Sequence, residues 1–129
     1  QELLVLCDEL GVKDCITFLG FQNPPYPYLK AADVLISTSE SEGLPFVICE
    51  ALALGIPVVA TRTAGSAELL EDGKYGLLTE HDDISIYEGL KTLVDNKQLR
   101  DDFKLKAKER AEIFDVKRTM QMVYHLIGD

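Results

Sequence analysis

The chain has 129 residues, 47% of them hydrophobic, which is enough for one core and excludes a disordered polypeptide. Its 13 Lys and Arg against 22 Asp and Glu leave a formal charge of -9, which argues against a general nucleic-acid or anionic-membrane surface while leaving room for a local basic pocket. No apolar run approaches the roughly 20 residues of a membrane span. Gln1-Glu2-Leu3 is neither a signal peptide nor a normal initiator, so the expectation is a chain cut from something longer. Cys7, Cys15 and Cys49 are odd in number and set among apolar neighbours, which predicts buried free thiols in a reducing, cytoplasmic compartment.

Residues 2 to 11 have helical spacing, with Leu3, Leu4, Leu6, Cys7 and Leu10 apolar and Gly11 as the stop. Cys15 to Leu19 reads as a strand, Asn23 to Pro27 as a loop, and Tyr28 to Ala32 as a short helix. The apolar run at 34 to 37 is the next strand, and Ser37 to Gly43 is the polar loop that leaves it. A helix over 45 to 54 follows, with Pro45 suited to its first position, where a missing N–H costs nothing, and Gly55-Ile56-Pro57 ending it. Strand 57 to 61, helix 65 to 71 and strand 76 to 79 complete an alternation whose apolar strands imply a parallel sheet covered on both faces. The fold class is therefore α/β, half or more of a Rossmann-like domain. Three helices close the chain: Ile84 to Asn96, Leu99 to Phe114, and Val116 to Ile127. Lys104, Lys106, Lys108 and Arg110 alternate with acids and are expected to form a solvated face.

One charge stands out. Glu50 lies inside the otherwise apolar helix 45 to 54, and desolvating an ionised carboxylate is expensive. It needs a basic partner such as Arg62, donors from a loop amide, or a cleft where a ligand supplies hydroxyls. Glu42 stands seven intervening residues upstream, before a Gly-Leu-Pro turn. Strand, loop and helix start come in the order that presents free amides, those of Phe46 and Val47, at the carboxyl edge of a sheet, and such an end favours anions. The histidines His81 and His125 read as surface or satisfied groups, and no residues are spaced as a metal site.

The run Ser39-Glu40-Ser41-Glu42-Gly43-Leu44-Pro45, followed by Glu50-Ala51-Leu52-Ala53-Leu54-Gly55-Ile56-Pro57, resembles the Glu-x7-Glu signature of retaining, nucleotide-sugar-dependent glycosyltransferases of the GT-B fold, family 4 (glycosyl transferases group 1). The resemblance extends to Ile16–Gly20 and Tyr28–Asp33 before the motif, and to Ala64–Leu70 and Asp72–Leu78 after it. It implies that residues 1 to 129 are a single partial nucleotide-sugar-binding domain, with a Rossmann-like core over 1 to 96 and C-terminal helices over 97 to 129. It further implies that Glu50 accepts hydrogen bonds from the two ribose hydroxyls of the donor. Glu42, the catalytic candidate, would contact the donor sugar near the reacting carbon. Gly43, Leu44, Phe46 and Val47 would bind the donor from the turn and the helix start. Phe21 and Gln22 fall in the loop that borders the base in relatives, and Gly65 and Ser66 may line the same cleft or simply form a tight turn.

By the same resemblance the partner is a nucleotide-sugar donor, the reaction is sugar transfer with retention in glycan biosynthesis, and no metal or other cofactor is expected. A glycan, lipid or small-molecule acceptor would be held by an N-terminal domain that this chain lacks, together with an upstream Arg and Lys pair for the diphosphate. The isolated chain is then expected to be inactive. Nucleic acid is not a partner, and any membrane contact belongs to the parent. Two other readings stay open: a catalytically silent GT-B-like binding or scaffold module, and a related GT-B phosphorylase, starch-synthase-like enzyme or epimerase.

Overall fold

A computed structural model gives the structure of the protein and describes residues 1–114. The helix Val116 to Ile127 and His125 lie outside the described residues. Three strands, β1 (Leu35–Ser37), β2 (Val58–Thr61) and β3 (Leu77–Thr79), form a parallel sheet in the order β1-β2-β3. Leu35 pairs with Val58 and Val59 with Leu77, so β2 is flanked on both sides and all four of its residues are buried. Its side chains alternate between the faces: Val58 and Ala60 join one apolar cluster and Val59 the other.

Consecutive strands that neighbour each other in sequence order carry their crossover helices on one face. Accordingly α3 (Phe46–Ala53) and α4 (Ala64–Leu69) share a cluster, through Ile48 and Leu52 from one and Leu69 from the other. The opposite face is covered by α5 (Asp83–Asp95), whose Leu93 packs with Val59, and by the first part of α6 (Lys97–Ala111) through Phe103, while Ala107 of α6 joins the cluster of α3 and α4. Gly89 of α5 lets that helix sit close to the sheet, since a Cβ there would stand 2.6 Å from Thr79 Cγ2. The carboxylate of Asp82 and the amide oxygen of Asn96 cap these two helices, accepting the Ser85 and Leu99 N–H groups. Hydrogen bonds from Ser85 to Asp82 hold its carboxyl below the usual carboxylate range.

The remaining helices are α1 (Glu2–Glu9) and α2 (Tyr26–Lys30). The stops at Gly11 and Gly55 are Schellman ends. At the second, Ile56 N–H reaches Ala51 O at 2.8 Å and Gly55 N–H reaches Leu52 O at 3.1 Å, with Gly55 at φ +72.

Five expectations need correction. Cys15 to Leu19 is not a strand: Lys13–Cys15 is a turn of 3-10 helix, and Ile16 to Leu19 run exposed with no ladder partner among the described residues. Apolar composition alone cannot make a strand without an edge to pair with. The short helix starts earlier, at Tyr26, and places Pro27 in its first turn. Pro45 is the N-cap of α3, with extended backbone at ψ 95, and Phe46 takes the first helical position. Of the thiols, all free, only Cys7 is buried; Cys15 is exposed and Cys49 half-buried.

The fifth correction is Arg110, which is not part of a solvated face. It is 8% exposed, and its guanidinium donates to Leu69 O and Glu68 O at 2.8 Å each and to Glu71 Oε1 at 2.9 Å. Five donors in a planar fork suit it to the orphan carbonyls at the end of α4. Arg110→Leu should therefore destabilise the fold by about 1–3 kcal/mol in urea unfolding, because the carbonyls lose a charged donor. A change within about 0.5 kcal/mol, the range of ordinary surface substitutions, would contradict this role.

Candidate nucleotide-sugar site

The three strands end together at Ser37, Thr61 and Thr79, and the loops beyond them form the carboxyl edge of the sheet, where open α/β sheets bind ligands. The loop after β1 carries Glu42 and runs into α3. Thr61 at the end of β2 donates from its hydroxyl to Ser39 O at 2.6 Å, with Ser37 O at 3.4 Å, so the first part of this loop is tied to the central strand. Gly65 N–H donates to Glu42 O at 2.9 Å and ties its second part to α4. That approach requires glycine: a Cβ on Gly65 would stand 2.5 Å from Gly43 O and 2.6 Å from Pro45 Cδ.

The α4 start is closed by its own chemistry. Thr63 Oγ1 accepts Ser66 N–H at 3.1 Å while Ser66 Oγ accepts Thr63 N–H at 2.8 Å, a capping box. The Ser66 hydroxyl also donates to Thr61 O at 2.7 Å. With Ser66 2% exposed, its side chain shapes the edge from within. Gly65, likewise buried, sets the distance between α4 and the turn.

The start of α3 is open. Pro45 O takes the N–H groups of Ile48 and Cys49, whereas those of Phe46 and Val47 make no hydrogen bond among the described residues. Phe46 is 71% exposed, and Leu44 and Val47 are exposed beside it. One turn on, the Glu50 carboxylate is half-buried without a hydrogen bond or ion pair among the described residues, and the same holds for Glu42. Arg62 is not its partner, since Arg62 Nη1 holds Asp72 Oδ1 at 2.8 Å. Burial raises the pKa of the neighbouring Cys49 thiol, and the charge of Glu50 adds to that, so Cys49 stays neutral and unreactive.

Phe21 projects at 93% exposure, while Gln22 donates its amide to Leu19 O at 2.7 Å. His81 sits at the same edge; its Nε2 lies 2.8 Å from Arg62 O and must carry the proton there, since a carbonyl only accepts. Thr61 and the role of Gly65 as a spacer were missed by reading the chain. A threonine ending an apolar strand was the available signal for the first. Among the described residues no three His, Cys, Asp or Glu side chains come together as a metal site, and no helix is long and apolar enough to cross a membrane.

Residues 1–110 match the family described as glycosyl transferases group 1. The chain belongs to this family. A family relative from Campylobacter jejuni, N-acetylgalactosamine-N,N'-diacetylbacillosaminyl-diphospho-undecaprenol 4-alpha-N-acetylgalactosaminyltransferase, is 39% identical over 131 residues, covering 99% of this chain and 36% of its own length. The D-inositol 3-phosphate glycosyltransferase of Corynebacterium jeikeium is 38% identical over 104 residues, covering 78% of this chain and 25% of its own. Among solved structures, Anabaena Alr3699/HepE in complex with UDP superposes with a TM-score of 0.90 at 29% identity, over 98% of this chain and 35% of that one. The chain thus spans about a third or less of the length of these proteins. Family membership and the parallel α/β fold agree with a GT-B glycosyltransferase domain.

Gly65→Ala should push α4 away from the Gly43 to Pro45 turn and break the bond to Glu42 O. A loss of about 1–3 kcal/mol in denaturant unfolding, as for overpacked cores, is the expected outcome. Amide shifts at 42 to 45 that stay native in this variant would show that the close approach is unimportant.

Proposed function

We propose that this chain is the donor-binding part of a retaining glycosyltransferase that moves a sugar from a nucleotide diphosphate to an acceptor hydroxyl. The observation that carries the reading is Glu50, a half-buried carboxylate on α3 with no partner among the described residues. Its two oxygens can accept both vicinal hydroxyls of a ribose at once. The free amides of Phe46 and Val47 suit phosphate or sugar oxygens at the helix start. Glu42, one loop away, would meet the donor sugar near its reacting carbon and stabilise positive charge developing there. Gly43 and Leu44 form the turn beneath it, and exposed Phe21 and half-buried Gln22 border the base. Gly65 and Ser66 fix the wall of the cleft. The UDP bound to the Anabaena relative supports a nucleoside diphosphate as the ligand class.

The charge balance limits what the chain does alone. A diphosphate is strongly anionic, the chain carries -9, and a helix end contributes only about 0.3–1 kcal/mol at an exposed site. Acceptor positioning and the remaining cations fall to parts of a longer protein, so the chain by itself should transfer no sugar.

Titrating the chain with UDP, GDP and ADP, followed by amide shifts, should give millimolar or weaker binding centred on residues 42 to 50. Glu50→Gln should weaken it by about 1.5–3 kcal/mol, the worth of hydrogen bonds to a charged group, with an unchanged melting temperature. Unaltered binding with a sharp loss of thermal stability would make Glu50 a structural residue. In a protein of the relatives' length carrying this chain, Glu42→Ala should cut kcat with little change in Tm. Full kcat with every accepted donor would remove Glu42 from the reaction.

A further inference from the structure

The 39 to 42 stretch carries Glu40 and Glu42 yet has few apolar anchors of its own, and what holds it is main chain. Thr61 is 3% exposed, and among the described residues its hydroxyl bonds to Ser39 O (2.6 Å) in this loop and to Ser37 O (3.4 Å) at the end of β1. Three residues past Ser39, Glu42 O accepts the Gly65 N–H. The two tethers come from β2 and from α4, elements locked into the core, and both grip carbonyls, leaving the Glu42 side chain free of partners among the described residues. A buried hydroxyl whose short hydrogen bond runs to Ser39 O favours the loop in this place, because releasing the loop leaves the donor only the long contact to Ser37 O among the described residues.

We infer that Thr61 is a positioning residue: its hydroxyl holds the loop after β1 so that the Glu42 carboxylate stands ready at the donor sugar. The inference rests on the reading of Glu42 given under Proposed function. Glu50 and the amides of Phe46 and Val47 belong to α3 and are held independently by Ile48 and Leu52 in the core. Thr61 therefore acts on turnover and not on nucleotide affinity.

The test compares Thr61→Val, which keeps the shape and removes the donor, with Thr61→Ser, which keeps the donor. In a protein of the relatives' length, Thr61→Val should lower kcat on the order of tenfold to a hundredfold, as expected for misplacement of about 1 Å, with the donor KM nearly unchanged. Thr61→Ser should recover most of that loss. Added to Glu42→Ala, Thr61→Val should cost nothing further, since both act through one group. Full kcat in Thr61→Val beside a crippled Glu42→Ala overturns the positioning role and leaves the functional reading standing. Full kcat in Glu42→Ala overturns the functional reading instead, and with it the catalytic purpose inferred for Thr61. Amide hydrogen exchange in this chain tests the tether separately: exchange at residues 40 to 43 should quicken in Thr61→Val and stay native in Thr61→Ser, and unchanged exchange in Thr61→Val overturns it. Thr61→Ala gives the same readouts should valine impair folding.

Discussion

The structure depends on β2. A strand flanked by two parallel neighbours and covered on both faces can place no polar side chain along its length, and Val58-Val59-Ala60 obeys that rule. Thr61 marks where the rule ends. It is as buried as the residues before it, yet its register partner is Thr79, and the loops beyond β1 and β3 meet there. The change from an apolar strand to a hydroxyl is thus the point at which the core gives way to the edge where ligands bind. The same strand lifts Thr61 O to Ser66 and passes into the Thr63 cap, so the central strand sets the start of α4 as well as the loop after β1.

Around that edge the polar groups divide, with one buried exception: Thr79 Oγ1, beside Thr61 in the sheet, has no hydrogen-bond partner among the described residues. Ser66, Thr63, Thr61 and Arg110 all have protein partners at 2.6 to 3.1 Å, as most buried polar groups do. Glu42, Glu50 and the first two amides of α3 do not, among the described residues. A half-buried carboxylate costs stability when nothing answers it. The fold tolerates Glu50 because the residue is only half-buried and so is not fully desolvated. Under the proposed function, hydroxyls would go to the carboxylates, and phosphate or sugar oxygens to the amides.

The alternation of strands and helices was legible because Gly and Pro bound each apolar run, and Gly55 stops α3 by a positive φ that other residues rarely adopt. Glu50 was legible for a similar reason: a charge among apolar neighbours is conspicuous. What escaped depended on distant partners. Ile16 to Leu19 has strand composition, but pairing is a property of two segments, and one segment cannot declare its neighbour. Arg110 sits in a run of alternating lysines and acids, and nothing local separates it from Lys108; only the fold brings Glu68 and Leu69 within reach, 41 and 42 residues away. Pro45 is compatible both with a first helical position and with the cap, and the close contact with Gly65 accompanies the second.

Arg110 also explains how α6 bears on the position of α4. A helix of six residues such as α4 is too short to hold its shape by propensity, since nucleation costs several ordered residues for the first hydrogen bond. Its stability must come from its ends. The capping box secures the first turn, and the Arg110 guanidinium secures the carbonyls of the last, while Leu69 and Ala107 share the cluster under the sheet. With both termini fixed, Gly65 has a defined position, and the turn carrying Gly43 and Pro45 can pack at a distance that leaves no room for a methyl group. The backbone position of Glu42 is therefore set by contacts that begin in α6, pass through α4, and meet the tether from β2 at a loop only a few residues long.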